Sequence, residues 1–320
     1  MLLFEDIVRA EKIVSKHIIT TPAVHSKALS EAVGEHIYLK LENQQITGSF
    51  KIRGAINAIS NLSPAQKKAG VVALSTGNHG RGLAFAANLM KIRCIICMSK
   101  LVPNNKIEGI KALGAEVRLI GTNQDEAQLE ADRLSIEEGM TYVSPFDNID
   151  VIAGQGTLGL EIHQQIPKLN FAFVPLSGGG LICGVSRALK SLNRNLKVIG
   201  VSMDRGAAMY ESQKAGKPIF VKEEESLADA LTGGIGLDNK YTFELTKQLV
   251  DEIVLVSEKE IADGIHYAYW HESQIVEGAG AVAIASLLNK KFKPNGPSVA
   301  LMCGRNINME KHFSLISAKS

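Results

Sequence analysis

The stretch FVPLSGGGLICG, from Phe173 to Gly184, passes from an apolar run through three consecutive glycines into a segment with helical spacing. The complete apolar run, FAFVPL, is continuous rather than alternating, which is typical of a strand covered on both faces. Runs of the same kind alternate with helical patterns along the chain: HIYLKL, VVALS, IRCIICM, AEVRLI, LKVIGV, EIVLV and PSVALMC. We therefore predict a doubly wound α/β fold with mainly parallel sheets between helix layers.

The composition limits the classes of protein to consider. The chain has 320 residues, 45% hydrophobic and 21% charged, with a net charge of +2. This length accommodates two domains, and the composition argues against disorder and against a basic face that binds nucleic acid. The sequence contains no apolar run of the roughly 18 residues that span a bilayer. The N-terminus carries acids where a signal peptide needs basic residues, so we expect a cytoplasmic protein without nucleic-acid or membrane partners.

Domain boundaries and cysteines give weaker signals. Composition marks no linker, although a compact α/β unit could extend from about Gly70 to Tyr142 and end near the turn-rich SPFDNID. Four cysteines form no disulfide framework, and Cys94 and Cys97 make a C-x-x-C inside a predicted strand. A redox pair belongs at a helix start, so we interpret both as buried structural thiols.

The glycines from Gly178 to Gly180 predict an anion site. They let the backbone approach an anion closely, and the free N-H groups at the following helix start bind phosphate. A plain flexible turn is one alternative. A dinucleotide site is another, because Gly178, Gly180 and Gly184 approach the Rossmann pattern and Asp204 follows the next strand. The third glycine comes one residue too late for that pattern.

Two further segments carry candidate chemistry. In QQITGSFKIRGA, residues 44–55, the amine of Lys51 is either solvated on a helix or reactive. The loop STGNHG, from Ser75, precedes another helix and offers hydroxyls and an amide to a carboxylate or a polar ring substituent. Asn78 as a plain helix N-cap is the alternative. A lysine, a phosphate cradle and a carboxylate cradle together suit pyridoxal 5'-phosphate and an amino-acid substrate.

These motifs resemble those of a known family. LKLENQQITGSFKIRGA, STGNHGRGLAFAA, SPFDNIDVIAGQGTLGLEI and SGGGL occur in the order found in the threonine dehydratase and serine racemase group of fold-type II (tryptophan synthase β-like) pyridoxal phosphate enzymes. The resemblance covers about Phe4 to Asn308. MDRGAAM, LADALTGGIGLDNKYTF and CGRNIN look most like the dehydratases of hydroxyectoine utilisation. The resemblance to fold-type II enzymes implies a large cofactor-binding domain at 1–60 plus 148–320 and a small substrate-closing domain at 70–147.

The resemblance also implies a role for particular residues. Lys51 would form the Schiff base with the cofactor beside Phe50, and Asn78 would bind the phenolic oxygen of the ring. The phosphate would be held by Ser177, Gly178, Gly179, Gly180 and Leu181. The substrate carboxylate would lie among Ser75, Thr76, Asn78 and His79. Cys303 would face the pyridine nitrogen, where the group usually has serine.

A thiol opposite the pyridine nitrogen does not force its protonation, so elimination of a β-substituent is favoured over transamination. Lys51 would then act as the general base toward the α-proton. By resemblance, the β-hydroxyl leaves after protonation through the cofactor phosphate, and the enamine hydrolyses to a keto acid and ammonia.

Departures from the family pattern refine these expectations. Serine racemases have serine at the position of Thr76, so the bulkier residue disfavours racemisation. Their cation-binding acids align approximately with Ser202 and Ala208, so we expect no such metal site. Arg81 and Arg305 replace smaller or uncharged residues and could bind a second carboxylate or a large polar substituent. The alternative for both is a surface ion pair.

We therefore predict a pyridoxal phosphate-dependent ammonia-lyase that dehydrates a β-hydroxy amino acid such as threonine or serine, as a homodimer or homotetramer. A larger hydroxylated amino acid, as in hydroxyectoine utilisation, and a serine racemase-like activity are the alternatives within the family. A nicotinamide-dependent oxidoreductase and a non-catalytic amino-acid binder are the alternatives outside it. The chain ends soon after the catalytic domains, so isoleucine feedback through a C-terminal regulatory domain is not expected.

Overall fold

A computed structural model of the chain describes residues 1–102 and 104–317. Its strands form two sheets. In chain order the strands are β1 (Ala23–His25), β2 (Ile37–Lys40), β3 (Val71–Leu74), β4 (Cys94–Met98), β5 (Glu116–Leu119), β6 (Thr141–Tyr142), β7 (Phe171–Pro175), β8 (Lys197–Met203), β9 (Glu252–Val256) and β10 (Ser298–Leu301). The larger sheet has the order β1-β2-β10-β7-β8-β9, and the smaller has the order β5-β4-β3-β6.

Helices cover both sheets. They are α1 (Phe4–Val14), α2 (Lys27–Val33), α3 (Lys51–Ser60), α4 (Pro64–Ala69), α5 (Asn78–Leu89), α6 (Asn104–Lys111), α7 (Gln124–Glu137), α8 (Ile149–Gln165), α9 (Gly180–Leu192), α10 (Ala208–Ala215), α11 (Thr242–Leu249), α12 (Glu258–Glu272), α13 (Gly278–Leu288) and α14 (Met309–Ser317). Among the described residues, no helix is both long and apolar enough to cross a bilayer.

The predicted α/β class with mainly parallel sheets is confirmed. All eight apolar runs form strands, and every strand pair is parallel except β1 with β2. Covered strands such as β4 and β7 are buried along their whole length, which explains their continuous apolar sequences. The interpretation of Cys94 and Cys97 is also confirmed, because both are free thiols buried in β4.

Two strands were not predicted, because they are too short to show a period of two. β1 has three residues and pairs antiparallel with β2 at the edge of the larger sheet. β6 has two residues and extends the smaller sheet beside β3. Their positions depend on pairing partners that are distant in the sequence or supplied by other elements.

Helix α8 lies between α3 and α9, and glycines make this close packing possible. A Cβ added at Gly154 of α8 would lie 2.6 Å from the carbonyl oxygen of Arg53 in α3. A Cβ added at Gly184 of α9 would lie 2.3 Å from the carbonyl oxygen of Ile152 in α8. Since real Cβ atoms do not approach that closely, the three helices hold this arrangement only with glycine at the crossings. Because both pack against α8, helix α3, which begins at Lys51, and helix α9, which follows the glycine loop, have a fixed relative position.

A buried ionic network joins these helices to the larger sheet. Arg53 donates two hydrogen bonds of 2.8 Å to the carboxylate of Glu42 and another of 2.8 Å to Glu161 of α8. Lys40 at the end of β2 donates to the other oxygen of Glu161 at 2.8 Å and to the carbonyl oxygen of Thr21. The four charged side chains are buried, and the two positive charges match the two negative charges. The network therefore fixes the first turn of α3, in which Lys51 lies.

Arg53→Met tests the strength of this network. Removing the guanidinium leaves the buried Glu42 carboxylate without its cation, which should lower the free energy of unfolding by about 3–5 kcal/mol. Urea unfolding monitored by circular dichroism measures the change. Arg133→Met is the control, since that arginine pairs with Glu130 and Glu137 at the surface, where solvent screens the pair. Equal losses in the two variants would contradict the assigned importance of burial.

Candidate active site

The site lies where the carboxyl ends of the parallel strands of both sheets converge, as expected for open α/β sheets. Two adjoining cavities occupy this region. The inner cavity, of about 150 Å³, is lined by all nine residues expected to bind the cofactor: Phe50, Lys51, Asn78, Ser177, Gly178, Gly179, Gly180, Leu181 and Cys303. The outer cavity, of about 560 Å³, is lined by all six residues expected to contact the substrate: Ser75, Thr76, Asn78, His79, Arg81 and Arg305. Lys51, Asn78 and Glu277 line both.

Lys51 is the first residue of α3, and its side chain enters the inner cavity. Its Nζ donates a hydrogen bond of 2.7 Å to the carbonyl oxygen of Pro145 and lies 5.4 Å from the centre of the Phe50 ring. Burial lowers the pKa of the amine to about 8, against the opposing influence of Cys303 and Glu277. Roughly a tenth of the amine is therefore uncharged at pH 7, far more than for an ordinary lysine, and a nucleophilic lysine requires this form. The solvated interpretation is wrong.

The glycine loop at the end of β7 forms a cradle for an anion. Gly179 has a φ of +92°, a left-handed conformation that favours glycine, and α9 begins at Gly180 without a side-chain cap. The free backbone N-H groups at this helix start form the positive end of the helix dipole, which attracts an anion. A Cβ at Gly178 would lie 2.3 Å from the ring of Phe146, so this ring closes one side of the loop.

Asn78 does not act as an N-cap, so that alternative is wrong. Gly77 precedes α5 as its cap residue, and Asn78 is the first helical residue. Its Nδ2 donates a hydrogen bond of 2.6 Å to Glu277, and its Oδ1 accepts one of 2.6 Å from Asn306. An amide nitrogen has two hydrogens, so one remains for a ligand in the cavities that Asn78 lines.

Glu277 is a site residue that the sequence interpretation missed. It is 3% exposed, and it accepts hydrogen bonds from the Asn78 side chain and, at 2.9 Å, from the backbone N-H of Asn306. Burial, with a contribution from Asp229, raises the pKa of this carboxyl to about 7. An acid directly before the small-residue helix α13 resembles an ordinary N-cap, yet its side chain makes no capping bond. No local signal distinguished it.

The remaining polar residues define the electrostatics of the outer cavity. His79 donates from Nε2 to the carbonyl oxygen of Val143 at 2.8 Å, and burial lowers its pKa to about 3, so its ring is neutral. Its buried Nδ1 has no hydrogen-bond partner within the described residues. The hydroxyl of Ser75 accepts from the backbone N-H of Gly80 at 2.9 Å and so stabilises the start of α5.

Cys303 follows β10 and closes the inner cavity at another side. Its thiol is buried, and burial raises its pKa well above the ordinary value, reinforced by the nearby Glu277 carboxylate. The residue therefore presents a neutral S-H group to the cavity. A neutral thiol can donate or accept a weak hydrogen bond without imposing a charge on its partner.

The site combines an amine that is partly uncharged near neutral pH with an anion cradle across a small cavity. This combination defines a class of enzyme that binds a phosphorylated aldehyde through a lysine. The chain belongs to the family of pyridoxal-phosphate dependent enzymes, whose family model matches residues 14–304. This membership excludes the nicotinamide alternative. Pyridoxal phosphate is the cofactor, and the buried Lys51 amine and the uncapped start of α9 fit its aldehyde and its phosphate.

Individual proteins of known name are similar over nearly the whole chain. A provisionally named threonine dehydratase of Sinorhizobium fredii is 51% identical over 317 residues, covering 99% of this chain and 96% of the relative. L-threonine ammonia-lyase of Thermotoga maritima is 44% identical, covering 97% of this chain and 77% of the relative. The solved structure of maize serine racemase aligns with a TM-score of 0.93 at 29% identity, covering 98% of this chain and 96% of that chain.

The raised pKa of Glu277 predicts a pH-dependent stability. The folded state keeps this proton up to about pH 7, whereas the ordinary pKa of a free glutamate carboxyl is 4.5. The folded state therefore binds more protons in that window and loses stability as pH rises through it, by roughly 3 kcal/mol in total. Glu277→Gln cannot titrate and should lack this loss.

Urea unfolding of the cofactor-free protein between pH 4.5 and 8 measures the difference between wild type and Glu277→Gln. The exposed carboxyl of Glu310 provides a control variant, Glu310→Gln, which should follow the wild-type pH dependence. Parallel curves for wild type and Glu277→Gln would contradict the burial of a titrating carboxyl at this position.

Proposed function

We propose that this chain is a carbon-nitrogen lyase that dehydrates and deaminates a β-hydroxy amino acid such as L-threonine or L-serine, giving a 2-oxo acid and ammonia. The observation that carries the proposal is the position of Lys51 at the junction of the inner and outer cavities. One amine can there hold the cofactor and also reach the α-carbon of a substrate. The 44% identity to L-threonine ammonia-lyase of Thermotoga maritima supports the reaction class.

The cofactor-binding roles follow from the chemistry of the inner cavity. We assign Lys51 to the aldehyde carbon, and Ser177 with the glycine loop and Leu181 to the phosphate. Asn78 has an amide hydrogen available for the phenolic oxygen of the ring, since Glu277 takes only the other. The ring of Phe50 lies beside the Lys51 amine. Cys303 is assigned to the pyridine nitrogen as a neutral partner.

Substrate binding and proton transfer are assigned to the outer cavity. The start of α5 offers the hydroxyl of Thr76, the Ser75 loop and the positive end of the helix dipole to the α-carboxylate. The cofactor, when bound, supplies an electron sink for negative charge on the α-carbon. The uncharged Lys51 amine takes the α-proton as general base. Loss of the β-hydroxyl as water gives an enamine, which water hydrolyses to the 2-oxo acid and ammonia.

The neutral state of Cys303 favours elimination over reactions that need a longer-lived carbanion. Burial keeps its thiol protonated, so it does not stabilise a positive charge on the pyridine nitrogen. A carboxylate at that position would hold the nitrogen protonated and strengthen the electron sink. The thiol therefore limits transamination and racemisation relative to loss of the β-substituent.

Two alternatives within the family rest on particular observations. Similarity to maize serine racemase supports a racemase-like activity, for which Thr76 in the outer cavity has the hydroxyl, although its bulk disfavours racemisation. The size of the outer cavity, about 560 Å³, supports a larger hydroxylated amino acid, as in hydroxyectoine utilisation. Chiral chromatography of the remaining substrate identifies racemisation, and a 2-oxo acid assay over a substrate panel identifies the preferred size.

We also propose an assembly, a compartment and a domain division. A cytoplasmic location agrees with the four free, buried cysteines, and the proposed assembly is a homodimer or homotetramer. A large cofactor-binding domain at 1–60 plus 148–320 and a small substrate-closing domain at 70–147 agree with the two separate sheets. Light scattering tests the assembly, and hydrogen exchange with and without a substrate analogue tests movement of the smaller unit.

Lys51→Ala tests the central assignment. The variant should fold but should lose the visible absorbance of protein-bound cofactor and at least about a thousandfold in kcat, because both the covalent anchor and the base are gone. Lys12→Ala, at an exposed lysine of α1, is the control that retains both. Wild-type elimination by Lys51→Ala would refute the mechanism.

Substitutions of Cys303 test its assignment to the pyridine nitrogen. Cys303→Ser should preserve elimination, because a hydroxyl makes the same hydrogen bond. Cys303→Asp should raise the share of racemised or transaminated product by roughly tenfold or more, because a carboxylate favours the protonated ring. Product ratios measured by chiral chromatography check this, with Cys94→Ser as a control for replacing another buried thiol. An unchanged ratio in a cofactor-loaded Cys303→Asp would count against the placement.

A further inference from the structure

Two arginines, Arg81 on α5 and Arg305 in the segment after β10, line the outer cavity close to Asn78. Arg81 lies three residues after Asn78 on α5, which brings the two onto the same face of the helix. Arg305 directly precedes Asn306, whose side chain donates to Asn78. The backbone N-H of Arg305 donates to the carbonyl oxygen of Gly48 at 2.9 Å, so this segment is tied to the loop before α3. Both guanidinium groups thus belong to the cavity that receives the substrate.

Neither arginine has a carboxylate partner within the described part of the chain. Within residues 1–102 and 104–317, no ion pair within 4 Å involves Arg81 or Arg305, whereas Arg93, Arg118 and Arg133 each have at least one. The acids of the outer cavity are already engaged. Asp229 pairs with Lys106 at 3.3 Å, and Glu277 accepts hydrogen bonds from Asn78 and Asn306. The ion-pair alternative stated for the two arginines is therefore wrong for the described residues.

The half-buried position of Arg81 is specifically accommodated by the fold. A Cβ added at Gly109 of α6 would lie 2.3 Å from Nη2 of Arg81, so the absence of a side chain at Gly109 leaves the space that the guanidinium occupies. Partial burial of a cation carries a desolvation cost that an ordinary surface position avoids. Among the described acids, Glu277 attracts this cation through space but forms no ion pair with it, which leaves the guanidinium able to pair with an anion supplied by a ligand.

The α-carboxylate of a substrate does not require these arginines. Under the proposed function, it binds at the start of α5, where hydroxyls and the helix dipole already favour a negative charge. A guanidinium presents paired N-H donors that match a second carboxylate in a planar, two-point contact. The site therefore has cationic donors beyond those that threonine or serine would use.

We propose that Arg81 and Arg305 bind a second carboxylate on the substrate, so that the preferred substrates are β-hydroxy amino acids with an anionic side chain, such as 3-hydroxyaspartate. This inference rests on the proposed elimination of a β-hydroxyl. It adds a specificity determinant to that reaction and leaves the roles of Lys51 and the cofactor unchanged.

Kinetics with two substrates test the inference. The ratio of kcat/KM for L-threo-3-hydroxyaspartate to that for L-threonine should favour the dicarboxylate in the wild-type holoenzyme. In Arg81→Gln and Arg305→Gln the ratio should fall by about tenfold to hundredfold, the effect of losing a charge-assisted contact. The matched control, Arg194→Gln, removes an exposed arginine after α9 and should leave the ratio unchanged.

Binding of unreactive acids gives a readout that is independent of turnover. Succinate and butyrate have the same carbon skeleton length but differ by one carboxylate, and calorimetry with the holoenzyme compares them. Succinate should bind at least about tenfold more tightly, and this preference should weaken in both arginine variants but not in Arg194→Gln.

The outcomes separate this inference from the proposed reaction. If either arginine binds the α-carboxylate instead, its variant lowers kcat/KM for both substrates equally and the ratio stays constant, which overturns the inference. A wild type that prefers threonine, with no succinate preference, also overturns it while the lyase assignment stands. If neither substrate yields a 2-oxo acid but succinate binds through the arginines, the anion site is supported and the proposed elimination fails.

Discussion

The buried hydrogen-bonded contact of Arg53 with Glu42 and Glu161 underlies the geometry of the whole site. It connects the end of a strand in the larger sheet, the first turn of α3 and the middle of α8. With Lys40, which donates to the other oxygen of Glu161, two positive charges match two negative charges, which is the condition under which ions can be buried without a large loss of stability. Lys51 is two residues from Arg53, so the position of the amine depends on this contact. Because α8 also packs directly against α9, the same framework sets the distance between the amine and the glycine loop.

A single physical cause, removal from water, determines the protonation of the groups in the inner cavity. Burial disfavours whichever form is charged, so it lowers the pKa of the Lys51 amine and raises those of the Glu277 carboxyl and the Cys303 thiol. The first becomes available as a nucleophile and base, and the last stays a neutral partner. Glu277 is held near the point of titration, where its hydrogen bond to Asn78 links its charge to a residue assigned to the cofactor ring.

The buried Arg53 and the half-buried Arg81 show that the role of a charged side chain depends on whether a carboxylate pairs with it. Arg53 is enclosed with two carboxylates and serves the fold. Arg81 is half-buried beside an open cavity, and no described carboxylate lies within ion-pair distance of it. An arginine thus stabilises the fold at position 53, whereas at position 81 its guanidinium remains available to bind an anion. A guanidinium without a described ion-pair partner beside the outer cavity is the basis of the proposed preference for anionic substrates.

The sequence by itself determined the α/β class and eight strands, and its resemblance to a known family pointed to the cofactor and substrate residues, although it missed Glu277, which lines both cavities. The glycines of the loop could be found locally, since they follow directly after β7, and Lys51 was singled out by the motif around it. The position of Cys303 was implied only by the family resemblance. The tertiary structure alone decided the hydrogen-bond partners of Asn78, since Glu277 and Asn306 are 199 and 228 residues away in the chain. It also decided the pairing of Arg53 with Glu161, across 108 residues, and the lack of an ion pair between Arg81 and any described carboxylate. Burial and long-range contacts set these properties, and neither is encoded in the spacing of neighbouring residues.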